Sequence, residues 1–228
     1  MLALFLLSTA TFLAAHAGVA HATGASFRDN FRLARGLAAL LLSVIGFFTL
    51  VRWYDFAGSS YTLLTPDPLA DKLLMVPFGH FAADFLLLTW GWFTVRERPR
   101  RDLIFHHLVG VAAGVATVRY AVATPLYLLL LTTEIMPVTT GISAYGAWAG
   151  HPRIERTGAW ARLAVLVIWR LPFWSWVGGS TFLHWLYNEG APDALAAYIL
   201  AATFSTMTLS LDVYWTYKSW EAVNRPAR

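Results

Sequence analysis

The sequence predicts an all-α membrane protein, a polytopic helix bundle of about seven transmembrane helices around a central cavity open to the cytoplasm. Three observations predict it. Apolar residues make up 57% of the chain and charged residues only 13%, which leaves no material for a sizeable soluble domain. Several apolar runs approach the roughly 20 residues that cross a hydrocarbon core about 30 Å thick. Short loops between them alternate between arginine-rich and acidic or uncharged, so the net charge of +4 reads as a topology signal and not as a nucleic-acid surface. With no cysteine, disulfides and thiolate chemistry are excluded.

The first span covers residues 2 to 21. It resembles a signal peptide ending at Ala20-His21-Ala22, but no Lys or Arg precedes the apolar run, so residues 1 to 31 are expected to form a retained N-terminal helix. Arg28, Arg32 and Arg35 precede a second span, Gly36 to Val51, and an acidic, turn-rich loop follows from Asp55 to Asp71. The third span, Leu73 to Val95, leads into Arg96, Arg98, Arg100 and Arg101. The fourth runs from Leu103 to Val118 and the fifth from Pro125 to Trp148, followed by Arg153, Arg156 and Arg162. The sixth covers Leu163 to Trp185, the loop Asn188 to Asp193 is acidic, and the seventh runs from Ala194 to Tyr217 before a tail with Arg225 and Arg228. The positive-inside rule then sets the N-terminus outside and the C-terminus in the cytoplasm. Arginine outnumbers lysine beside abundant alanine, which points to a bacterial inner membrane; in a eukaryote the same signals give the endoplasmic reticulum.

Ionisable residues inside membrane spans are functional candidates, because each is costly unless partnered. The adjacent His106 and His107 stand just inside the fourth span, and Asp84, Glu134, Arg170 and Asp212 lie in other spans. Depths estimated at ~1.5 Å per residue from the nearest loop allow all six to meet in one cavity. His80 and Asp84 are four apart and share a helix face. Ser205, Thr208, Asp212 and Trp215 form one polar stripe on the last span. Pro137 cannot donate to the Thr133 carbonyl, so a kink and a free acceptor are expected beside Glu134, and Pro172 acts likewise near Arg170. Arg170 reads as the counter-ion of Glu134 or Asp84. Three buried acids against that one arginine predict coupled titration with the histidines. Adjacent helical side chains diverge by roughly 100°, so His106 and His107 are not expected to share an ion, and no metal is expected.

Five separated stretches, VPFGHFAADFLLLTW, RRDLIFHHLVG, LLLLTTEIMP, VIWRLPF and LDVYWTYKSW, together with RLARGLAALL at residues 32 to 41, resemble the TLC-domain family (TRAM, Lag and CLN proteins), especially its small TLC-domain-containing branch. The resemblance covers roughly residues 32 to 222, leaving 223 to 228 as a tail, and implies six core helices after the N-terminal one. Its ceramide synthases are acyl-CoA-dependent N-acyltransferases with a catalytic histidine pair and nearby aspartates. The resemblance thus implies His106 and His107 as catalytic, with Asp84 as their orienter. The residues after the pair, LVGVAAGVATVRYAV, lack the asparagine, arginine and His-Asp that continue the ceramide synthase signature, and Asp212 stands where the small branch's closing motif has asparagine. An acceptor other than that of the ceramide synthases is therefore implied.

The leading expectation is a lipid acyltransferase that uses acyl-CoA as co-substrate and holds no tight cofactor. Its catalytic set is His106, His107, Asp84 and Asp212; Glu134, Arg170, His80, Ser205, Thr208, Trp215 and Arg101 contact substrate. Its partners are a membrane lipid and a fatty acyl thioester, not nucleic acid. A non-enzymatic lipid-binding, lipid-transfer or membrane-composition regulator is the alternative, and a proton-coupled transporter the third.

Overall fold

In a computed structural model the described residues are 1–54, 63, 65–96, 100–120, 123–187 and 195–224, and among them no strand occurs. Expectations for Asp55, Gly58, Arg98, the loop Asn188 to Asp193, Arg225 and Arg228 fall outside these residues. The helices are α1 (Leu2–Thr23), α2 (Phe27–Trp53), α3 (Pro68–Leu73), α4 (Met75–Thr94), α5 (Arg101–Arg119), α6 (Thr124–Leu129), α7 (Ile135–Trp148), α8 (Pro152–Val165), α9 (Leu171–Tyr187) and α10 (Leu195–Val223). Among the described residues five stretches are long and apolar enough to cross a bilayer: Leu2–Thr23, Phe27–Trp53, Pro68–Thr94, Thr124–Trp148 and Pro152–Ser180. The helices expected as the fourth and seventh spans are present as α5 and α10, without joining that set.

Two proline effects shape the rods. Leu130–Glu134, between α6 and α7, is a tighter 3₁₀ segment one turn ahead of Pro137, and Leu166–Arg170, between α8 and α9, is a wider π turn just ahead of Pro172. Each lies where the ring removes a helical donor.

Two boundaries differ from the sequence expectation. The second span begins at Phe27 and not at Gly36, because Ser26 caps it: its hydroxyl accepts from the Asp29 N–H at 3.2 Å and donates to the Asp29 carboxylate at 2.8 Å. Arg28, Arg32 and Arg35 are therefore helical, and Arg35 points inward. The sixth rod begins at Pro152, with proline in its first turn and Glu155 close behind, so Arg153, Arg156 and Arg162 also lie on a helix.

Helix α2 is the centre of the bundle, touching α1, α4, α6 and α7. Its buried face runs through Phe31, Ala34, Arg35, Ala38, Ala39 and Leu42 at helical spacing, while Leu37, Leu40, Leu41 and Val44 face outward as lipid-compatible surface. Against α7 the backbones meet at Gly36 and Gly141. A Cβ on Gly36 would lie 2.9 Å from the Gly141 Cα, and one on Gly141 would lie 3.1 Å from the Gly36 Cα. Since backbone cannot yield as a side chain can, Gly36→Leu should cost about 1–3 kcal/mol of stability by overpacking. Gly18→Leu, where nothing lies within 4 Å, should be near neutral in the same detergent melt.

Helix α1 docks onto α4 and α2. The Ser8 hydroxyl donates to the Val76 carbonyl at 3.0 Å, and at the other end the Trp148 indole donates to the Thr23 carbonyl at 3.1 Å. The core is apolar where α2 ends and α4 and α6 begin, around Trp53, Leu63, Leu74 and Leu126–Leu129. The ionisable groups occupy the half toward the start of α5.

Candidate functional site

Asp84 is the hub. Helix α4 carries it one turn after His80, so both side chains leave the same face. The carboxylate is fully buried and accepts from Arg35 Nε at 3.1 Å. His107 Nε2 from α5 lies 3.4 Å and His80 Nε2 3.6 Å from the same Oδ2, and His16 Nε2 from α1 lies 3.9 Å from Oδ1. Four helices thus converge on one carboxylate.

The three imidazoles are held by rings. Phe12 meets His80 edge-on at 5.0 Å, Phe81 and Phe85 flank His107 at 5.0 and 5.7 Å, and Phe31 lies 5.5 Å from His16. All three histidines are buried, and among the described residues none of their ring nitrogens makes a hydrogen bond. A buried polar atom left unbonded costs about 1–3 kcal/mol, so a cluster of them points to function more than to packing.

A second cluster follows through His106. Its Nε2 lies 3.5 Å from Glu134 Oε1, and its ring lies 5.6 Å from that of His107 and 5.3 Å from that of Trp215. The other face of the contact network at Trp215 is Arg170, whose guanidinium carbon lies 5.4 Å from the indole ring. Arg170 Nε donates to both Asp212 oxygens at 3.0 and 2.9 Å, with Nη2 2.9 Å from Oδ1. Its Nη1 donates to the Thr133 carbonyl at 2.7 Å, the acceptor that Pro137 frees. The Trp215 indole donates to Asp102 at 2.8 Å, and Asp102 is also held by Arg100.

The sequence-predicted residues therefore fall into two linked groups and do not all line one cavity. Asp84, His80 and His107 form the first; Asp212, Arg170 and Trp215 form the second, with His106 and Glu134 between them. Arg170 pairs with Asp212 and not with Glu134 or Asp84, because Asp212 arrives from α10 directly opposite the π turn. Ser205 and Thr208 are buried one to two turns before Asp212 on α10, Ser205 beside a small pocket of about 50 Å³ with Tyr127, Trp174 and Phe204. Arg101 is exposed at the first position of α5.

Sequence reasoning missed Arg35 and His16. Arg35 corrects the expected charge count: each of Asp84 and Asp212 has its own buried arginine, which leaves Glu134 as the acid matched to a histidine. The signal for Arg35 was the Ser26–Asp29 cap, which starts the helix early enough to turn it inward. One ligand atom from each of His80, Asp84 and His107 lies within 4.8 Å of the others, so His107 finds its companion on α4, not in its neighbour His106.

Above the Asp84 hub a cavity of about 250 Å³ is lined by Arg28, Arg32, Arg35 and Arg100, with Phe27 and Phe31 as apolar wall. Arg35 belongs to both cavity and hub. Such an enclosure suits an anionic group, since guanidinium forks bind phosphate or carboxylate oxygens in pairs. No family model, curated protein or solved structure matches the chain.

Proposed function

We propose that the protein is a TLC-like enzyme of lipid metabolism, an acyltransferase that moves a fatty acyl group from acyl-CoA to an amine or hydroxyl of a membrane lipid. In this reading seven spans enclose a cavity open to the cytoplasm of a bacterial cell, with the N-terminus outside. One observation carries it: the arginine-lined cavity shares Arg35 with a buried carboxylate that three histidines surround. The cavity suits the phosphates of a CoA-like donor, and the histidines stand behind it across Arg35 and Asp84.

His106 is the general base, held by Glu134. It takes the proton of the acceptor as the new C–N or C–O bond forms at the thioester carbonyl. The oxyanion is stabilised from the side of His107 and Arg35, and collapse breaks the C–S bond. The proton on His106 then passes to the departing thiolate. Asp84 fixes the orientation of His107.

Purified protein given acyl-CoA and a lipid extract should form acylated lipid, and His106→Ala should lower the rate by about 10²–10⁴-fold with folding intact. Lipid that co-purifies unchanged, with no product and equal binding by the variant, would replace this reading with lipid binding. The run of buried side chains from Arg35 and Asp84 through His107, His106 and Trp215 to Arg170 and Asp212 favours proton-coupled transport as the second reading. Proton-driven uptake into sealed vesicles without acyl product would select it.

A further inference from the structure

We infer that His80, Asp84 and His107, with His16 as a fourth donor, form a binding site for a divalent transition cation of the zinc class. The inference stands on the geometry of the cluster and does not depend on acyl transfer.

The distances carry it. Nitrogen and oxygen ligands about 2.0–2.1 Å from a tetrahedral zinc stand roughly 3.3 Å from one another. His107 Nε2 and His80 Nε2 lie 3.4 and 3.6 Å from the Asp84 carboxylate, spacings that fit two edges of such a shell and make no hydrogen bond. All three ligand atoms fall within 4.8 Å. His16 Nε2 approaches Oδ1, an oxygen with no hydrogen-bond partner among the described residues, at 3.9 Å. Inward movement of the His16 ring toward Oδ1 would add the fourth donor to that group of three.

The chemistry agrees. Neutral imidazoles with one carboxylate are borderline donors that suit zinc, cobalt or iron over magnesium or calcium. A His-x-x-x-Asp spacing on α4 sets two ligands on one helix face, by the same logic as paired histidines in helical zinc motifs. Phe12, Phe81 and Phe85 restrict ring rotation, and Arg35 holds the carboxylate by donating to Oδ2, the part an outer-shell partner plays. Arg35 also adds positive charge, so an anion, hydroxide or a group supplied through the arginine-lined cavity should enter as a fifth ligand or in place of His16. In the acyl-transfer reading the cation would supply the oxyanion stabilisation assigned above to His107.

The test uses full-length protein in detergent with a non-histidine affinity tag. After incubation with Zn²⁺ or Co²⁺ and removal of excess by gel filtration, elemental analysis should find about one ion per chain, and the cobalt form should show the visible absorption of a four- or five-coordinate nitrogen-ligated site. His80→Gln and His107→Gln should each weaken retention by at least about tenfold at unchanged elution volume. His151→Gln, at the exposed start of α8, should retain metal as the wild type does. Metal at blank level in the wild type with no cobalt band would overturn the site. So would retention that survives in both folded variants. The wild-type spectrum needs no variant to fold, so a misfolding substitution does not leave the question open.

Discussion

Asp212→Ala is expected to be the most destabilising single change in this protein, costing about 3–5 kcal/mol. It would leave a fully buried guanidinium facing an empty site, with the Thr133 carbonyl and the Trp215 ring as its remaining direct contacts among the described residues. Arg170→Met should cost distinctly less. The reason is chemical asymmetry: a carboxyl left alone can shed its charge by binding a proton, whereas a guanidinium cannot lose one. Arg170→Met also frees the Thr133 carbonyl, a loss of about 1–3 kcal/mol that keeps the variant below wild type. The double variant Arg170→Met/Asp212→Leu should recover much of the Asp212→Ala loss, since replacing a buried pair with apolar groups is often neutral. Mixed-micelle unfolding with a denaturing detergent would rank the three, and equal losses for both single variants would contradict the asymmetry. Because Arg170 ties α9 and α10 to the break ahead of α7, this pair reads as a clamp on helix packing more than as a reacting centre.

How much of this was legible in the sequence differs by kind of feature. Helix placement follows from apolar runs, and the Pro137–Thr133 acceptor follows from covalent structure alone, since a missing N–H can be read from one residue. Partner choice could not be read. Helical periodicity assigns Asp84, Glu134, Arg170 and Asp212 to inner faces, but which acid meets which cation depends on how helices distant in the chain cross. Arginines near a span end carry a second ambiguity, because the same residue serves as a topology signal in a loop or as a buried ion one turn inside a helix. Arg35 is that case, and the Ser26 cap decides it. His16 was hidden for another reason: a lone histidine in an apolar segment has no local signature, and its significance appears only when α1 docks beside α4.

The corresponding change at the other buried pair should separate function from stability. Asp84→Asn keeps volume and one oxygen but removes the charge that Arg35, His107, His80 and His16 all face. Its stability cost should fall below that of Asp212→Ala, because Arg35 borders the cavity and can turn its charge toward water there, an escape that Arg170 lacks. Activity should respond in the opposite order. In the acyl-transfer reading Asp84→Asn should lower turnover by at least about 10²-fold, since it misorients His107 and releases Arg35 from the position it holds beside the oxyanion. Asp212 variants that remain folded should retain most of the turnover, because the native carboxylate acts through Arg170 on packing. Turnover per folded molecule, set against unfolding midpoint for both variants, gives the comparison. If Asp212→Asn abolished turnover while Asp84→Asn preserved it, the reacting centre would lie at the Arg170 cluster, with the four-helix junction at Asp84 left as structural support.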